Sequence, residues 1–127
     1  MPQVLVFINS RYQESKTLNE LFEFKKLVGE GLPRFVAAAL TVPGIKGAGL
    51  SHSEVEVNFI SGDPEDRCHE YDVQIIVFAN HFKEREENLQ ERTDKIKTKL
   101  SRLFMKQRIK VKGFLYVRLA PAGFSEF

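Results

Sequence analysis

Apolar and polar positions alternate in some stretches of this chain and repeat at helical spacing in others. Residues 3–9, QVLVFIN, are apolar at both parities. That pattern predicts a central strand covered on both faces. Residues 53–60, SEVEVNFI, alternate cleanly: Val55, Val57 and Phe59 face one way, Glu54, Glu56 and Asn58 the other. This predicts a half-buried strand. Residues 70–79, EYDVQIIVFA, and 112–120, KGFLYVRLA, predict a third and a fourth strand.

Between the first two strands, Ser10 to Lys16 reads as a polar connection, with Thr17 or Ser15 as the cap of a helix. Leu18, Leu21, Phe22, Leu27 and Val28 then recur at helical spacing until Gly29 and Gly31 interrupt them. Pro33 opens a second stripe of Phe35, Val36, Ala39 and Leu40, which suits proline at a helix start. The expectation is two short helices, or one helix broken near Gly31. Residues 42–49, VPGIKGAG, and 61–69, SGDPEDRCH, are loops, the second turning at Gly62-Asp63-Pro64. Residues 82–104 form the clearest element, with Leu89, Thr93, Ile96, Leu100 and Leu103 as one amphipathic stripe. Glutamates crowd its start and lysines its end, as the helix dipole favours. Asn80 or His81 can cap it.

The order is β-α-β, loop, β-α-β, a duplicated unit of pattern rather than of sequence. It predicts an α/β (α+β) two-layer sandwich over one domain, residues 1–127, with a four-stranded mixed sheet and its helices on one face. Each unit should pair its strands in parallel. The other sheet face then needs a cover, which oligomerisation supplies. Glu54, Glu56 and Asn58, on an edge strand, could line a wet interior between subunits.

Composition narrows the function little. The 127 residues carry 43% hydrophobic and 28% charged side chains, an ordinary globular balance. A net charge of +2 is too small to imply a nucleic-acid partner, and the eight Lys or Arg within 95–112 read as a solvated face. No apolar run reaches the roughly 18–20 residues of a membrane span. Cys68 is the only cysteine, so no internal disulfide forms; that fits a reducing, cytoplasmic setting. Cys68 has only His69 nearby, so a metal site is not expected. GIKGAG does not join a strand to a helix and fails the dinucleotide context.

Pro2 is the residue with chemistry to offer. If Met1 is removed, Pro2 is a free secondary amine at the start of a strand. A chain-terminal amine titrates near pH ~8, and burial lowers that value toward neutrality. Such a group is a general base held in place by the sheet. If Met1 stays, Pro2 is a strand opener without an N–H.

Three stretches carry a family resemblance: Pro2 with its strand, LPRFVAAALTVPGIKG before the second strand, and HEYDVQIIVF followed by the helix from Lys83. Together they resemble the tautomerase superfamily, which includes the macrophage migration inhibitory factor and 4-oxalocrotonate tautomerase families. The closer likeness is to the 5-carboxymethyl-2-hydroxymuconate isomerase family. The resemblance implies a homotrimer with its sheets packed around a central barrel and active sites around Pro2 near subunit boundaries. The activity it implies is a proton shift between carbon and oxygen of a small enol or keto acid, with no metal or organic cofactor.

Arg11, in NSRY, stands where the oxalocrotonate branch places a substrate-binding arginine. It is either a carboxylate grip or a solvated loop side chain. Where that branch has a second arginine, this chain has Glu54 and Glu56, which argues against dianionic substrates of that type. Lys46 and His52 could supply cationic character nearby. His69 belongs to the isomerase-like stretch and reads as a loop histidine; Arg118 and the tail from Pro121 to Phe127 could wall a pocket in a neighbouring subunit. The competing expectation is a non-catalytic oligomeric binding or structural domain, with this fold or a ferredoxin-like one. Parallel pairing of the first two strands would favour the tautomerase arrangement.

Overall fold

The computed structural model describes residues 2–45, 49–65 and 70–121. Met1, Lys46, Cys68, His69 and the tail from Ala122 lie outside these residues. The elements are β1 (Gln3–Ile8), α1 (Ser10–Glu14), α2 (Leu18–Leu40), β2 (Glu56–Ser61), β3 (Val73–Asn80), α3 (Lys83–Glu87), α4 (Leu89–Lys106) and β4 (Gly113–Ala120). A 3₁₀ turn, His52–Glu54, leads into β2.

The sheet runs β2-β1-β3-β4. β1 pairs with β2 in parallel and with β3 antiparallel, and β3 pairs with β4 in parallel. The sheet is thus mixed, with two parallel pairs joined by one antiparallel seam. The direct parallel pairing of β1 and β2 favours the tautomerase arrangement over the ferredoxin-like one. Both strands that are apolar on two faces, β1 and β3, are central, as their apolar runs require.

One sheet face carries Val4, Val6 and Ile8 of β1 and Val73, Ile75, Val77 and Ala79 of β3, all buried. The long helices α2 and α4 supply the other half of this core. Their contributions are Phe24, Val28, Leu32, Val36 and Leu40 from α2 and Ile96 and Leu100 from α4. A methyl group at Gly31 would lie 3.1 Å from Leu103, so a glycine there lets the two helices approach closely.

The opposite face is set by register. Three rows cross all four strands: Glu56–Gln3–Phe78–Arg118, Asn58–Leu5–Ile76–Tyr116 and Ile60–Phe7–Gln74–Phe114. Tyr116 is 55% exposed and Ile60 and Phe114 each 37%. Among the described residues no helix covers this face.

Several local expectations need correction. The segment 17–40 is one helix, α2, unbroken at Gly31 or Pro33. Phe24, Val28, Leu32, Val36 and Leu40 recur every four residues straight through the proline, and burying five apolar side chains outweighs the ~3 kcal/mol cost of an interior proline. Leu18 and Phe22, placed on the core stripe from sequence, are 87% and 64% exposed. Thr17 does cap α2, through a reciprocal pair with Glu20. Ser10 to Glu14 is a short helix rather than a plain connection, because Asn9 accepts the Arg11 N–H at 2.8 Å. The segment 82–104 divides into α3 and α4 at Asn88, whose backbone leaves the helical region. Neither Asn80 nor His81 caps α3. Asn80 ends β3, Phe82 takes the cap position, and the His81 ring is held elsewhere.

Candidate active site

Because β1 and β2 run in parallel, both start at one end of the sheet, and β3 and β4 finish there. Pro2 stands at this end. It is buried, and its carbonyl accepts the Glu56 N–H at 3.1 Å. The register pairs Gln3 with Phe78, so one further step puts Pro2 opposite Ala79. Its ring therefore follows the parity of Val4 and Val6, toward the helices. A proline suits this first strand position, which asks for no donor.

α2 runs back against β1, so its C-terminus reaches the same end. The last carbonyls of a helix lack intrahelical partners. Here two arginines supply them. Arg85 donates from Nε to Leu40 O at 2.7 Å and from Nη1 to Asn80 O at 2.9 Å. Arg92 donates from Nη1 to Ala39 O at 2.7 Å and Thr41 O at 3.1 Å, while Asn88 Oδ1 accepts from its Nε. Arg85 is only 2% exposed and lies over the Phe82 ring. Burial, and then the like charge of Arg92, lower its pKa from the usual guanidinium value. The two cations neutralise the negative end of the α2 dipole and tie it to the end of β3.

The predicted site residues divide between the two ends of the sheet. His52, in the 3₁₀ turn before β2, lies at the Pro2 end and is exposed. Arg118 shares the row of Gln3 and is also exposed, two strands and roughly 10 Å across the sheet. Arg11 lies in α1, beyond the far end of β1. The six residues of β1 put roughly 20 Å between it and the Pro2 end, so one chain alone does not bring Arg11 and Pro2 together. Lys46 falls outside the described residues. Glu54 and Glu56 both lie at the Pro2 end, and Glu56 accepts from Asn58 Nδ2 at 3.2 Å. A groove of about 400 Å³ between α4 and the β3–β4 pair contains none of the predicted site residues.

Two groups at this end were missed from sequence. Arg85 sits where the 82–104 apolar stripe, extended back by four from Leu89, calls for an apolar side chain; that break in pattern was its signal. His81 was read only as a possible cap, yet its ring Nε2 meets the Glu86 carboxylate.

No family model matches this chain, and no curated protein matches it. Among solved structures, the crystal structure of 5-carboxymethyl-2-hydroxymuconate delta-isomerase superposes with a TM-score of 0.59. The match covers 100% of this chain and 87% of that one, at 10% sequence identity. The two proteins share a fold. The four-stranded mixed sheet with helices on one face is therefore that of the isomerase. No helix among the described residues is long and apolar enough to cross a membrane.

Proposed function

We propose that this protein is a cofactor-independent keto–enol isomerase of a small carboxylate-bearing substrate, with Pro2 as general base once Met1 is removed. The observation that carries this reading is the position of Pro2. It is buried immediately before a central strand, in a fold shared with a known isomerase. A chain-terminal amine fixed there is surrounded by the elements that close this end of the sheet. It loses hydration as a cation and so gains neutral, basic character. His52 would hold the substrate carboxylate, while Arg118, on the open face opposite the side that Pro2 faces, would serve a site of a neighbouring subunit. Glu54 and Glu56 beside His52 disfavour a second carboxylate, which narrows the substrate to a monoanion.

Intact mass and phenylpyruvate ketonisation together test this reading. Protein lacking Met1 is expected to turn the enol over, and protein retaining Met1 to be inactive. Equal rates from both forms would sink the role of the amine.

The same reading includes a homotrimer that covers the open sheet face. Leu5, Phe7, Ile76 and Phe78 form an apolar band there, and Ile60 and Phe114 extend it toward both edges. In such an assembly Arg11 would serve a neighbour's site, since its own Pro2 is at the far end of β1. Ile76→Glu puts a charge in the middle of the band. It is expected to convert the assembly to monomers by sedimentation velocity, with the circular dichroism spectrum unchanged; a wild-type oligomer untouched by this substitution would place the interface elsewhere. The distance between Arg11 and Pro2 also favours a second reading, a non-catalytic oligomeric domain, for which no preparation would show proline-dependent turnover.

A further inference from the structure

We infer that His81, held by Glu86, is the second proton-transfer group of the Pro2 site, the one that serves the substrate oxygen. This inference rests on the isomerase reading above and adds to it a donor at the substrate oxygen. One amine can carry the proton from carbon to oxygen in turn, but a separate donor at the oxygen stabilises the charge that develops there as the C–H bond breaks.

The placement comes from the register. β1 and β3 are antiparallel and Gln3 pairs with Phe78, so extending the register by one step puts Pro2 opposite Ala79. Moving backward past Pro2 on one strand is moving forward past Ala79 on the other. The amine of Pro2 therefore points along the direction in which Asn80 and His81 lie. Adjacent strands are ~4.8 Å apart and residues rise ~3.3 Å, so His81 Cα lies about 8 Å from Pro2 Cα. That separation is comparable to the length of a small keto acid. The His81 backbone is fixed, since its N–H donates to Ala120 O at 3.0 Å.

The ring is fixed as well. Its Nε2 meets the Glu86 carboxylate. An ionised carboxylate only accepts, so Nε2 carries the hydrogen and Nδ1 is the nitrogen left for the substrate. No described residue bonds Nδ1, and the side chain is 41% exposed, which leaves it open to a ligand. Glu86 lies one residue from Arg85, whose hydrogen bonds to Leu40 O and Asn80 O pin α3 to α2 and β3.

The step balances without an oxidant or reductant. The Pro2 nitrogen takes the proton as the C–H bond breaks. The imidazolium gives its Nδ1 proton to the oxygen as the enol forms. Glu86 stays ionised throughout, and solvent returns the proton from Pro2 to His81. In the reverse direction the neutral Nδ1 accepts the enolic proton and the Pro2 ammonium delivers one to carbon.

The test uses Met1-free protein and phenylpyruvate, comparing H81A, E86A and E86Q with P2A. H81A is expected to lower kcat about 100-fold with a native circular dichroism spectrum. E86A is expected to lower it about 10-fold, and E86Q, whose carbonyl still accepts from Nε2, to recover most of that loss. A structural role for Glu86 would leave E86A and E86Q alike. If P2A is inactive while H81A stays within threefold of wild type, His81 is overturned and Pro2 stands. If P2A is as active as wild type, or the Met1-free protein turns over none of a panel of enol acids, both fall together.

Discussion

Replacing Pro2 with Ala is expected to lower kcat for enol ketonisation about 100-fold in protein that has lost Met1. General bases contribute roughly 10²- to 10⁴-fold, and the alanine variant keeps a terminal amine, so the loss should sit at the low end. What the variant lacks is the ring. The pyrrolidine locks φ near −65° and removes rotation that would otherwise swing the nitrogen away from the substrate. It also fills space toward the helices beside Val4 and Ala79. The Cβ of alanine leaves part of that volume empty, at a cost of about 1 kcal/mol. Thermal unfolding separates the two effects: a shift in Tm of a few degrees with a hundredfold loss of rate assigns the loss to the amine. A rate within threefold of wild type would remove Pro2 from the mechanism.

The second large effect is on stability. Arg85→Met is expected to destabilise the protein by about 3 kcal/mol in urea unfolding. Methionine keeps the aliphatic stem and its packing against Phe82. It removes the donors to Leu40 O and Asn80 O. A buried acceptor left unpaired costs about 1–3 kcal/mol, and two are exposed to that cost here. Relief of burying a cation offsets part of it. Arg92 remains on Ala39 O and Thr41 O, so α2 keeps half of its terminal support. Arg92→Met alone should cost less, because Arg92 is more exposed than Arg85. A loss below 1 kcal/mol for Arg85→Met would mean that water replaces the guanidinium at this end.

Much of this architecture was legible in residue patterns, for reasons that can be named. β1 and β3 are apolar at both parities, a pattern that belongs to the middle of a sheet, so their centrality could be read directly. β2 alternates, with Val57 and Phe59 toward the helices and Glu56 and Asn58 away, as a half-buried strand does. The integrity of α2 was not legible, because Gly31 and Pro33 are local breakers and the contacts that oppose a break are long-range. Only the unbroken four-residue recurrence from Phe24 to Leu40 reveals it, and Leu18 and Phe22 point to the wrong face. Of the candidate site residues, Pro2 and His52 lie at one end of the sheet and Arg11 beyond the other, because the strand between Pro2 and Arg11 holds them apart. His81 and Glu86 are five residues apart across a helix start, a spacing with no helical or strand periodicity to flag it. Arg85 left a signal, a charge on an apolar stripe, that gains meaning only when the carbonyls of α2 are known to end beside it.

The strand order has a consequence for how the chain reaches this state. β1 finds both of its neighbours far along the sequence: Val4 meets Val57 on one side and Val77 on the other. Among the described residues no strand pairs through a short hairpin, so each of these sheet contacts closes a long loop, the condition under which two-state domains fold slowly. On the ribosome β1 emerges before either partner, apolar on both sides, and stays unpaired while some fifty further residues are made. That interval is when the nascent chain is most open to aggregation. The strand that Pro2 leads into thus depends on the timely synthesis of both β2 and β3.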